Sequence, residues 1–302
     1  MEGRDVGRSP SAIAWPSMVS KVELPGEIVP GSWLAQHLDE VAVLDVRWYL
    51  DGRSGRAAYL SGHVPSAHFL DLDTDLSAPP SPAAGRHPLP EPAIVAAALG
   101  RLGIGDDDPV VVYDDASGST AARAWWLLRA LGQPVAVLVG GLAAWPGELT
   151  TEVPEPHPVS RPPVAWPGGR FLEADNDAPH LDRPGAVLLD ARAAPRYAHG
   201  DPAIDPRPGH IPGARSAPWS GNLDPATGRF LPADQLAARF AAVGVDPGTP
   251  VAAYCGSGVT ACHDLLALTL AGVADTALYT GSWSQWGADE SRPTAEGPDP
   301  TP

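Results

Sequence analysis

Short apolar runs alternate with longer helical stretches along this chain. The run Val110–Tyr113 precedes a helical stretch at 120–131 and a second run at 135–139, and Val251–Tyr254 likewise precedes 259–270 and Thr276–Tyr279. Strand-forming runs separated by helices of this length predict an α/β fold, in which a parallel sheet carries helices on both faces. Ligands of such sheets bind beyond the carboxyl ends of the strands. The run Val251–Tyr254 ends there on Cys255, followed by Gly256-Ser257-Gly258-Val259-Thr260-Ala261.

The pattern is duplicated. VLDVR at 43–47 recurs as LLDAR at 188–192, and Gly62-His63-Val64-Pro65 recurs as Gly209-His210-Ile211-Pro212. LGIG at 102–105 matches VGVD at 243–246, and Gly140-Gly141-Leu142 with Trp145 matches Gly281-Ser282-Trp283 with Trp286. The same elements in the same order indicate two tandem copies of one domain. We expect the first at 19–149 and the second at 167–292, with a flexible extension at 1–18 and a flexible tail at 293–302. Between the copies, residues 150–166 carry Pro154, Pro156, Pro158, Pro162 and Pro163. That density excludes helix and central strand and predicts an extended, stiff linker.

Composition narrows the classes. A chain of 302 residues that is 44% hydrophobic is long enough for two domains with their own cores, and 36 Pro with 32 Gly imply many turns. A net charge of −16 argues against nucleic acid and anionic membrane surfaces as partners. An anionic substrate therefore needs locally placed cations and amides. No span of about 18 apolar residues occurs, and the N-terminus lacks a basic region followed by a hydrophobic core. Cys255 and Cys262 are the two cysteines. Their spacing matches no zinc motif, and they cannot form a disulfide framework for a chain of this size, so a reducing, cytoplasmic setting is expected.

The segment around Cys255 carries the candidate chemistry. Glycine at 256 and 258 permits backbone angles that a Cβ forbids, so the amides of residues 256–261 can converge on the sulfur at a helix start. Such a cradle lowers a thiol's pKa and makes it a nucleophile. A buried structural cysteine before a turn is the alternative reading.

Together, the LLDxR, GHIPGA, strand-Tyr-Cys-loop and GSWxxW landmarks, duplicated in order, resemble the tandem-domain rhodanese family of sulfurtransferases from about Val19 to Arg292. CGSGVTA at 255–261 resembles the loop of the 3-mercaptopyruvate branch, whereas the thiosulfate branch usually carries Arg and Lys after the cysteine. The resemblance implies that Cys255 takes sulfane sulfur from a small anionic donor as a persulfide. It then passes the sulfur to a thiol, a thioredoxin-like protein or cyanide. No metal or organic cofactor is implied.

The resemblance also implies roles for further residues. Gly256, Gly258, Val259, Thr260 and Ala261 are expected to stabilise thiolate and persulfide. Ser257 matches a serine that handles protons with a His and an Asp. His63 is expected in the histidine slot, while the acid slot holds Ser54, with Asp51 the nearest acid. Arg196 matches the arginine that binds the donor's anion. A second arginine slot holds Ala203, and Arg207 is the expected substitute. In the first copy Asp114 stands in the cysteine's place, which implies a catalytically silent half forming one wall of a cleft. Arg123, Trp125 and Trp126 are expected to pack and form salt bridges, Cys262 to sit in the core, and Asp45, Arg47, Asp190, Arg192 and His210 to be structural because both copies keep them.

Three other functions remain to be weighed. The donor can be thiosulfate. The protein can be a non-enzymatic docking partner in a sulfur relay. Related phosphatases use a cysteine in a similar loop, but they need an arginine where this chain has Ala261.

Overall fold

Every residue of the central apolar runs is buried. Strands covered on both faces need no polar alternation. The structure is a computed structural model, and it describes residues 22–162, 164–173 and 185–298. The expected extension at 1–18 and the end of the expected tail, 299–302, lie outside the described residues.

In chain order, the first half contains β1 (Ile28–Val29), α1 (Gly31–Gln36), β2 (Ala42–Asp45), α2 (Gly55–Ser61), β3 (His68–Phe69), α3 (Pro92–Arg101), β4 (Val110–Tyr113), α4 (Ala121–Ala130) and β5 (Val135–Leu138). The second contains β6 (Phe171–Leu172), β7 (Val187–Asp190), α5 (Ala194–His199), β8 (Arg215–Ser216), α6 (Ala233–Ala241), β9 (Val251–Tyr254), α7 (Ala261–Leu270), β10 (Thr276–Tyr279) and α8 (Ser282–Trp286). The first sheet has the order β1-β5-β4-β2-β3 and the second β6-β10-β9-β7-β8. All pairings are parallel, and matching strands hold matching places. The duplication read from the motifs is thus a duplication of topology, and both sheets belong to the α/β class.

The two halves share a core. Residues 121–128 of α4 and 261–268 of α7 are all buried, because each helix lies between its own sheet and the other helix. A helix enclosed on every side must be apolar nearly all round. Trp125, Trp126 and Leu127 of α4 join Leu265 and Leu266 of α7 in one continuous apolar cluster. Smaller clusters lie on the opposite faces of the two sheets.

The described residues of the proline-rich connector run along the first half without helix or strand. Val159 N donates to Gly100 O at 2.9 Å, and Arg161 Nε pairs with Asp106 at 3.1 Å. A Cβ on Gly100 would lie 2.7 Å from Val159 O, and one on Gly103 2.7 Å from His157 O, so glycine lets the connector lie close.

Candidate active site

Strand β9 ends at Tyr254, and α7 begins at Ala261, seven residues on. Cys255 stands first in the intervening loop, 2% exposed, and Gly258 N donates to its Sγ at 3.1 Å. Gly258 has φ +76°, and a Cβ there would lie 2.7 Å from Thr280 O. Only glycine fits both demands. The Gly281-Ser282-Trp283 motif fixes the loop from behind. Cys255 N donates to Ser282 Oγ at 3.2 Å, and Trp283 N and Ser284 N donate to Cys255 O and Gly256 O, each at 2.9 Å.

A cavity of about 280 Å³ opens in front of Cys255. The second half lines it with Arg196, Trp219 and the loop residues Gly256, Ser257, Val259 and Thr260, and the first half with Trp48, Leu50, Arg86, Ser119 and Thr120. Ala261, expected among the anion binders, begins the helix in the core instead.

Ser257 is joined to the first half by hydrogen bonds. His87 Nδ1 lies 2.8 Å from Ser257 Oγ, and His87 Nε2 lies 3.1 Å from Asp73 Oδ1. Trp48 Nε1 donates to the same carboxylate at 3.1 Å and sets its ring edge-on to His87. Burial pulls His87 below its ordinary value against the opposing effect of Asp73, so its imidazole is neutral near pH 7. The bond to His87 in turn holds Asp73 below the usual carboxylate range. A neutral imidazole backed by a carboxylate can take up and return a proton.

This arrangement corrects the sequence expectation. His63 is buried away from the loop, with Nδ1 2.8 Å from Tyr59 O, Nε2 3.1 Å from Glu152 O and the ring stacked on Tyr59. His210 repeats the arrangement on Tyr197. The recurring histidine is a local clamp, with both nitrogens of His63 facing backbone carbonyls. Ser54 caps α2 by accepting from Ala57 N, and Asp51 pairs with Arg53. Neither supplies the acid; Asp73 does. His87 and Asp73 lie in the irregular segment between β3 and α3. One usable signal is that residues 217–232, the matching segment of the second half, contain no histidine.

The cations are also rearranged. Arg196 faces the cavity, but Asp205 holds it through Nε to Oδ2 at 3.0 Å and Nη2 to Oδ1 at 2.6 Å. Ala203 supplies no cation, and Arg207 Nη2 donates to Trp286 O and Arg292 O instead of reaching the site. Arg86, which sequence reasoning missed, also lines the cavity. Asp45–Arg47 and Asp190–Arg192 form matching strand-end pairs at 2.6 Å.

Behind the loop lies Arg123, fully buried on α4. Its Nη1 donates to Gly258 O at 3.1 Å, and its Nη2 to the carbonyls of Leu76, His87 and Pro88. The expected salt bridge is replaced by backbone carbonyls, because this helix face looks onto loops of both halves. At the matching position of α7, His263 Nε2 lies 3.3 Å from Ser117 O of the first half. Cys262 Sγ donates to Gly258 O at 3.3 Å, and burial pushes its thiol up to about 12, which keeps it protonated.

In the first half Asp114 takes the place of the cysteine. Its Oδ1 accepts from Ala116 N and Gly118 N at 2.9 and 2.8 Å, and its Oδ2 from Thr120 N, Ala121 N and Thr120 Oγ1 at 2.8, 2.9 and 3.0 Å. The loop converges on its own carboxylate.

Comparison with known proteins adds independent findings. A sequence model of the rhodanese-like domain matches residues 31–148 and 176–289. The chain is similar to a Pseudomonas aeruginosa protein named probable 3-mercaptopyruvate sulfurtransferase, 46% identical over 286 residues, covering 90% of this chain and 98% of that protein. It is also similar to bovine thiosulfate sulfurtransferase, 35% identical over 283 residues, covering 86% of this chain and 91% of that one. Among solved structures, the crystal structure of SseA from Escherichia coli, from a study of 3-mercaptopyruvate sulfotransferases, superposes with a TM-score of 0.75 at 34% identity. It covers 85% of this chain and 98% of that one.

Proposed function

The chain belongs to the rhodanese-like family, and we propose that it is a sulfurtransferase taking sulfane sulfur from 3-mercaptopyruvate onto Cys255 and passing it to a thiol acceptor. The observation that carries this reading is the hydrogen-bonded series Ser257–His87–Asp73 beside the Cys255 loop. 3-Mercaptopyruvate brings a thiol proton that must move when its sulfur leaves. Thiosulfate brings none.

In the first step the Cys255 thiolate attacks the donor's sulfur. The S–S bond forms as the C–S bond breaks, and the electron pair passes to C3, delocalised as the enolate of pyruvate. Ser257 and His87 carry the donor's thiol proton to C3, so thiolate and 3-mercaptopyruvate become persulfide anion and pyruvate. The amides of residues 256–260 stabilise sulfur's negative charge in both states. In the second step an acceptor thiol attacks the outer sulfur and leaves as a persulfide, restoring the Cys255 thiolate. Small thiols, a thioredoxin-like protein and cyanide are the proposed acceptors. A cytoplasmic, reducing setting belongs to the same reading, supported by the two free cysteines.

Thiosulfate is the second reading, favoured by the arginines that line the cavity, Arg86, Arg192 and Arg196. Mass spectrometry of the purified chain separates these readings. With 3-mercaptopyruvate, Cys255 is expected to gain about 32 Da as a persulfide. A kcat/KM at least about tenfold higher for thiosulfate reverses the donor assignment. No adduct with either donor overturns the enzymatic reading in favour of a docking role.

A further inference from the structure

We propose that Arg123 is a positioning residue for sulfur transfer: its buried charge, supplied by the half without the nucleophile, favours the Cys255 thiolate and the neutral imidazole of His87 together. This role rests on the sulfurtransferase reading and adds what holds the two groups in their working protonation states.

The guanidinium sits between the two groups. Through Nη1 it donates to Gly258 O at 3.1 Å, and Gly258 N donates to Cys255 Sγ at 3.1 Å, so one residue separates the cation from the sulfur. Through Nη2 it donates to His87 O at 3.2 Å and to the carbonyls of Leu76 and Pro88. Each of these acceptors is neutral. Nε is buried without a hydrogen-bond partner, and no carboxylate pairs with Arg123 among the described residues. A fully buried cation held by carbonyls alone lacks a counter-charge. An unbalanced charge in the interior is costly.

Two sulfurs can supply the missing charge. Burial pulls the guanidinium below its ordinary value, and Cys262 and Cys255 are the groups that draw it back. Burial keeps Cys262 protonated, so the negative charge falls to Cys255. The same cation opposes a second positive charge on His87, adding to the effect of burial and acting against Asp73. The other charges near the sulfur, Arg86, Arg192 and Arg196 with Asp205 against it, lie on the cavity side. Arg123 acts from the dry side, where a charge is least screened.

The silent half shows the converse. At the matching place on α7, burial lowers His263 from 6.5 to about 3, so a neutral ring faces Ser117 O. The loop it reaches carries the Asp114 carboxylate, which its own amides already balance. A cation stands behind the loop whose charge comes and goes, and a neutral group behind the loop whose charge is fixed.

Two titrations of the full chain, neither needing a donor, test this role. The first follows alkylation of Cys255 by iodoacetamide against pH, read by mass spectrometry. The second follows the His87 resonances of histidine-labelled protein by NMR, assigned by comparison with His87→Gln. Arg123→Gln keeps hydrogen-bonding groups but no charge, and it is expected to move both midpoints to higher pH, each by about tenfold in proton concentration. The direction is shared because loss of a cation disfavours a thiolate and permits an imidazolium. Arg123→Lys, which keeps a charge but offers a single nitrogen, should lie nearer to wild type than to Arg123→Gln. The role is overturned if Arg123→Gln leaves either midpoint in place or moves the two in opposite directions, or if Arg123→Lys lies as far from wild type as Arg123→Gln. Should Arg123→Gln not fold, Cys255→Ser reads the same pairing from the other side. It leaves Arg123 without its anion, so above the wild-type alkylation midpoint it should unfold at lower urea than wild type, and the gap should close as pH falls through that midpoint. An equal gap at every pH overturns the pairing. Failure of the sulfurtransferase reading has a different signature: wild type forms no Cys255 persulfide with either donor while both midpoints still follow the charge of residue 123.

Discussion

The loop after β4 and the loop after β9 occupy matching places in matching sheets, and they treat negative charge in opposite ways. In the first, five N–H and O–H groups close on the Asp114 carboxylate. In the second, Cys255 Sγ receives the Gly258 amide and faces a cavity walled by both halves. The anion-binding turn is therefore common property of the duplicated fold. What differs is whether the charge is a permanent part of the chain or can be acquired and handed on. Asp114 shows the kind of group such a turn is built to hold.

The largest test of this contrast exchanges the residues. Cys255→Ser should reduce kcat at least about 10³-fold and abolish the persulfide. Asp114→Cys in that background should not restore transfer, because no Ser257–His87 pair faces the first loop; recovered turnover would break the comparison. A second test separates the histidines. His87→Gln should lower kcat/KM for 3-mercaptopyruvate by about 100-fold and for thiosulfate far less, whereas His63→Gln should leave both rates near wild type. In wild type the activity requires neutral His87, so it should be present above the histidine's pKa and fall as pH drops through it. Burial places that limb below the ordinary 6.5. An acid limb unchanged by His87→Gln would assign it to another group.

Smaller effects concern stability. Asp114→Asn replaces one acceptor oxygen with a donor facing amides and should cost about 3 kcal/mol by urea unfolding, with kcat nearly unchanged. A collapse of kcat at intact fold would show that the first loop is not silent. The smallest test compares α7 with α4. Asp264, fully buried on α7, accepts from Asn222 through Oδ1 and has an unpartnered Oδ2, where α4 has Ala124. Burial raises its carboxyl from 3.8 to about 7. A raised carboxyl contributes stability that is full below its unfolded value and is lost as pH rises through about 7. Burial lowers neighbouring His263 from 6.5 to about 3, so its contribution has the opposite sign and is lost as pH falls below 6.5. Asp264→Asn should therefore raise Tm by about 2–4 °C more at pH 8 than at pH 5. An equal change at both values would show that Asp264 does not titrate there.

The strands, the two large helices, the duplication and the Cys255 turn were legible because each is encoded locally, in uninterrupted apolar runs or in glycine placement. Asp114 was legible by alignment of the copies. His87, Asp73 and Arg86 were not, because they lie in an irregular segment with no periodicity, and their partners Ser257, Trp48 and the Cys255 loop are brought to them by packing between elements. His63 was misassigned although its recurrence as His210 marked it as structural, by the same reasoning that identified Asp45 and Arg47. Arg196 was located, but its engagement by Asp205 depends on the shape of the intervening loop.

Arg123 gives the joining of the halves a further consequence. Its guanidinium, rooted in the first half, binds the Gly258 carbonyl and the carbonyls behind His87. Cutting the gene between the copies would strip the nucleophile's turn of this support and leave the Arg123 guanidinium without its Gly258 acceptor. The half without the nucleophile is therefore no discardable relic: it supplies this brace together with His87 and Asp73, so the two copies serve as a single unit.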